Sequence, residues 1–163
     1  MRLAVRLCIP TTMQSPSREV IVAPDKFEIV TDDAVMKADL RSAIVVCVYD
    51  AVEEAGALLH LRFVIRGSKP LDVTDTTLAT ELLLLDRCVE AFREAAPAAR
   101  NLQAKIAAHL PEGMDAVGPC TTVLTLVSCF LTDAGAATMP PDMSVGPPRK
   151  LTFRPSMGWL NIR

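Results

Sequence analysis

Leu40 to His60, LRSAIVVCVYDAVEEAGALLH, is the stretch on which the fold turns. Ile44 to Tyr49 (IVVCVY) is apolar throughout, without alternation, as expected of a strand covered on both faces and therefore central in its sheet. Asp50 to Ala55 is a polar turn and Gly56 reopens the chain. Ala57 to Ile65 is a second apolar strand carrying a lone histidine, His60. The two strands are expected to pair as neighbours.

Upstream, EVIVAPDKFEIV holds two short β-branched runs, Val20 to Ala23 and Phe27 to Val30. Pro24-Asp25 splits them with turn chemistry, which gives a hairpin or a bent strand. Residues 1–18 are rich in Pro, Ser and Thr after a short apolar start and read as a tail or an added edge strand. Residues 19–163 form the domain. Asp32-Asp33 breaks the pattern before the central strand.

Downstream, Leu78, Leu82, Leu85, Val89 and Phe92 recur at helical spacing, so Asp72 to Ala95 reads as a helix lying on the sheet, capped by Thr74 or Asp75 and ended by Pro97. Leu102 to Leu110 (LQAKIAAHL) is read as a strand. Val117 to Leu131 is apolar, but its Thr and Val content leaves helix or strand open. Met139 to Pro148 is a Pro-rich loop. Lys150 to Phe153 and Trp159 to Ile162 form a closing hairpin around the turn at Pro155 to Gly158. There is no internal repeat.

A chain of 163 residues with 50% apolar content can close one core. Seventeen basic and nineteen acidic residues leave a net charge of −2, too balanced for a nucleic-acid surface or a polybasic membrane anchor. Two arginines interrupt the apolar N-terminal run, which makes it a poor signal peptide. No stretch approaches the roughly 20 apolar residues of a membrane span. The expected setting is soluble and cytoplasmic.

The five cysteines (Cys8, Cys47, Cys88, Cys120, Cys129) have no CxxC spacing and read as reduced thiols, mostly buried. With two histidines far apart, no metal site is expected. The seven glycines form neither GxGxxG nor GxxxxGK, so no nucleotide and no other cofactor is expected.

A histidine on an apolar strand is most often a satisfied core residue. To act in hydrolysis His60 needs a nucleophile within hydrogen-bond reach. The turn before Ile44 is the place for one, and it holds Ser42 and Ala43. Asp50, Glu53 and Glu54 sit together in one turn and read as its solvated surface.

The segment resembles the active-site region of the CheD family, the bacterial chemoreceptor glutamine deamidases, whose signature is approximately LGSCVAVxxYDPxxxxGGxAH. Leu40, Ser42, Tyr49, Asp50, Gly56 and His60 match. The family's cysteine and histidine are spaced as Ala43 and His60 are here. Asp75 with its helix, Gln103 to Ala107 (QAKIA), and Gly146, Arg149 and Phe153 resemble further family segments, so the likeness runs from Glu19 to Ile162. It implies an α+β fold of two packed mixed β-sheets with helices on the outside, a CheD-like layered sandwich.

The departures fall on the chemistry. In the family a cysteine thiolate attacks a receptor glutamine carboxamide, a histidine activates it, and a threonine six positions upstream assists. Here the nucleophile position is Ala43, the threonine position is Lys37, and only His60 remains. Arg41 replaces a glycine beside the site, and Ala108-His109 replaces a Gly-Gly pair. Ser42 cannot substitute, because adjacent residues of a strand face opposite ways. Cys47 shares the face but lies about 13 Å along the strand. An artificial substitution at position 43 would leave Lys37 and Arg41 unexplained.

The resemblance therefore implies a catalytically degenerate homologue acting as a protein-binding or regulatory module in chemotaxis signalling. Arg41, Ser42 and His109 would line its groove, with chemoreceptor cytoplasmic helices and CheC-type phosphatases as partners. Two alternatives stand beside it. One is an active glutamine deamidase whose nucleophile was altered or is supplied by another residue. The other is a structural domain in which His60 merely packs.

Overall fold

A computed structural model of the chain describes residues 15–16, 18–63 and 76–163. Within them β4 (Ala43–Asp50) is buried at all eight positions and takes the centre of a six-stranded mixed sheet. It pairs antiparallel with β5 (Ala55–Arg62) on one side and β6 (Gln103–Leu110) on the other. Beyond β5 lies β2 (Lys26–Val30); beyond β6 lie β7 (Ala137–Thr138) and β8 (Asp142–Val145), both parallel to it.

The absence of alternation in β4 has a direct structural cause. Ile44, Val46 and Val48 pack in one apolar cluster with helices α1 (Thr76–Ala95) and α2 (Val117–Asp133). Ala43, Val45, Cys47 and Tyr49 face a second, four-stranded sheet. That sheet runs in the order β1 (Arg18–Ile21), β3 (Ala34–Leu40), β9 (Arg149–Arg154), β10 (Trp159–Ile162). The molecule is thus α+β, with two packed mixed sheets and both helices on the outer face of the larger one, as the resemblance implied.

The runs flanking Pro24-Asp25 are a bent strand and not a hairpin. β1 pairs parallel with β3 in the smaller sheet, whereas β2 pairs with β5 in the larger. Asp25, at φ 59, makes the corner. β3 was not foreseen after Asp32-Asp33, because Ala, Met, Lys and Asp are weak strand formers. Its alternation of Ala34, Met36, Ala38 and Leu40 nevertheless builds the second core. β8 was likewise hidden inside the Pro-rich loop.

The ambiguous apolar run is helix α2, whose buried residues Cys120, Val123, Leu124, Val127 and Leu131 follow helical spacing. Its Thr and Ser hydroxyls donate to carbonyls four residues back, sharing acceptors of the helix and so finding partners without leaving it. Gly135, at φ 88, ends it in a Schellman motif: Gly135 N–H donates to Thr132 and Ala136 N–H to Leu131. The expected strand at 102–110 and the closing hairpin are both present. The expected cap at Thr74 or Asp75 and the expected first helical residues, 72–75, fall outside the described residues, as does most of the N-terminal tail. Arg18, assigned to that tail, opens β1. No helix among the described residues is long and apolar enough to cross a membrane.

Candidate functional site

Ala43 opens β4 immediately after the sharp passage Arg41-Ser42 from the smaller sheet to the larger. Its register partners are Arg62 on β5 and His109 on β6. His60 is the register partner of Val45. Paired residues share a face, so Ala43, His60 and His109 all face the layer between the sheets. Ala43 and His60 are diagonal neighbours, a relationship that places positions about 7–8 Å apart and within reach of a longer side chain.

The imidazole of His60 is oriented. Nδ1 lies 3.2 Å from the Val22 carbonyl, which can only accept, so Nδ1 carries the hydrogen and Nε2 holds the basic lone pair. The ring is nearly enclosed, with the residue 2% exposed. Asp25, read from sequence only as a turn residue, lies beside it. Asp25 N–H donates to the His60 carbonyl at 2.7 Å, and its carboxylate accepts from Arg62 N–H at 3.0 Å and Arg62 Nε at 2.6 Å. Burial alone would raise the Asp25 carboxyl, but these hydrogen bonds and the Arg62 charge hold it below the usual carboxylate range. The signal for this pair was the alignment of Asp25 with the far end of β5, which single-strand reading does not give.

Among the described residues, no nucleophile completes the arrangement around His60. Ala43 is 1% exposed and ends in a methyl group. The Ser42 hydroxyl donates to the Phe63 carbonyl at 2.5 Å, and Phe63 N–H returns a bond to the Ser42 carbonyl at 2.9 Å. The serine is a clamp between strand ends. Cys47 is fully buried, and burial pushes its thiol strongly upward against the weaker pull of Lys105. A thiol so shifted forms no thiolate at neutral pH.

The remaining expected site residues are dispersed. Lys37 belongs to β3 of the smaller sheet and alternates with core residues, so it lies on the outer face. It pairs there with Glu19 at 2.6 Å. Arg41 is exposed beside Ala43. His109 is fully buried, with both ring nitrogens engaged, Nδ1 by Ser144 Oγ and Nε2 by the Pro147 carbonyl. A groove-lining role does not fit that burial.

Asp50 is structural. Its carboxylate accepts from the N–H groups of Val52, Arg100 and Asn101, each at 3.0 Å, and of Glu53 at 3.4 Å. Burial opposes its ionisation, but these four donors prevail and lower it. It lines an open cleft of about 450 Å³ with Arg100, Asn101 and Gln103. That cleft lies at the opposite end of β4 from Ala43, about 23 Å away along the strand, and has no part in the His60 chemistry. Among the described residues, no group of three His, Cys, Asp or Glu side chains is placed to hold a metal ion.

No protein-family model matches this chain, and no curated protein matches it.

Proposed function

We propose that this protein is a catalytically degenerate, CheD-like binding module. It works in the cytoplasm in chemotaxis-type signalling and engages helical segments of chemoreceptors or a CheC-type phosphatase. The observation carrying this reading is the pairing of an oriented imidazole at His60 with a methyl group at the neighbouring position 43. A base with its lone pair on Nε2 and, among the described residues, no hydroxyl or thiol bonded to it has the layout of an amide-hydrolysing site without the means to run it. Arg41, exposed at the mouth of the β3–β4 passage, supplies positive charge for acidic residues on a partner helix. Lys37 adds little to this, since Glu19 neutralises it.

The test is titration calorimetry with a helical cytoplasmic receptor fragment. Saturable binding, weakened several-fold by Arg41→Glu in line with a rim charge worth up to about 1 kcal/mol, supports the proposal. Absence of binding up to about millimolar fragment rejects it in favour of a purely structural domain.

A further inference from the structure

Ser144, on β8, is the register partner of His109 on β6. Its Oγ lies 2.8 Å from His109 Nδ1, while Nε2 lies 2.9 Å from the Pro147 carbonyl. A carbonyl oxygen only accepts, so Nε2 bears the hydrogen and donates it. Nδ1 then holds the lone pair and accepts the Ser144 hydroxyl hydrogen. Hydroxyl, base and orienting group thus stand in the order that activates a serine nucleophile. The fully buried ring is held on both sides. Ser144 is only half-buried, on a strand paired to β6 alone among the described residues. His109 has Ala43 as its partner across β4, and that methyl offers no competing donor.

We infer that Ser144 and His109 form a nucleophile–base pair for acyl transfer from uncharged carboxylic esters, with the Pro147 carbonyl orienting the base. Ser144 Oγ adds to the ester carbonyl carbon as its proton passes to Nδ1. The tetrahedral adduct expels the alkoxide, which takes that proton, and leaves an acyl-serine. Water then adds to the acyl carbon, giving a proton to Nδ1, and Ser144 departs with it as the free acid is released. The orienting group is a neutral dipole and not a carboxylate, so the imidazolium is weakly stabilised. That favours esters with good leaving groups, such as aryl esters, over amides. The inference rests on residues other than His60 and stands apart from the family likeness.

The test begins with the wild-type protein, incubated with a fluorophosphonate and mapped by peptide mass spectrometry. A single adduct on Ser144 is expected. Hydrolysis of p-nitrophenyl acetate should fall about 100-fold or more in Ser144→Ala, which removes one hydrogen bond and whose fold is checked by circular dichroism. An unmodified Ser144, labelling spread over other serines, or unchanged esterase activity in the folded Ser144→Ala variant would each overturn the pair. None of these outcomes depends on whether the protein binds a receptor fragment.

Discussion

Ala43 and His60 stand diagonally on the same face of the six-stranded sheet, with Arg62 in register beside the first and Val45 beside the second. The alignment follows from the short polar turn after Asp50, because the carboxylate of Asp50 fixes where β5 begins. The backbone register therefore sets position 43 and His60 on one face whatever side chain position 43 carries.

Pro155, in the short helical turn between β9 and β10, packs against Gly56 of β5, where an added Cβ would overlap its ring. Gly56→Ala should destabilise the fold by about 1–3 kcal/mol, read as a lower denaturant midpoint at unchanged slope. Gly118 in α2 has nothing within 4 Å of such a Cβ, so Gly118→Ala should be neutral or up to about 1 kcal/mol more stable.

Acid stability should depend on Asp33. Arg154 and Ser156 hydrogen-bond its carboxylate and hold it down at about 2, with burial working against them. A carboxyl lowered in the folded state stabilises fully above its unfolded value, and the contribution disappears as pH falls through about 2. Asp33→Asn should cost about 1–3 kcal/mol at neutral pH and flatten the loss of stability between about pH 4 and pH 2, measured by urea titration across that range.

Thiol reactivity should separate the described cysteines. Burial pushes Cys120 up to about 11 and Cys88 up to about 12, and raises Cys47 as well, whereas Cys129 is exposed on α2. Iodoacetamide mapping of the native protein should modify Cys129 while sparing Cys47, Cys88 and Cys120, which become reactive only in denaturant. Native modification of Cys47 would refute the enclosure described for the layer between the sheets.

The unbroken apolar run made the central strand of the larger sheet legible, because a strand buried on both faces takes apolar residues at nearly every position. The bend at Asp25 was not legible as such: a turn residue does not reveal whether the strands it joins share a sheet. β3 was missed because Lys37 and Asp39 face outward from the smaller sheet, and the apolar half of its alternation includes two alanines. His60 and position 43 could be matched only through the resemblance, which implies their spacing. Asp25, Arg62 and Ser144 could not, since their neighbours come from strands distant in the chain.

Ammonia release from a receptor cytoplasmic fragment is the most direct measurement, comparing the wild-type protein with Ala43→Cys and His60→Ala. With a methyl at position 43, the wild-type protein should release none above the uncatalysed rate while still binding the fragment. Wild-type turnover that disappears in His60→Ala would show that the imidazole still drives amide hydrolysis and would contradict the reading of a lost nucleophile.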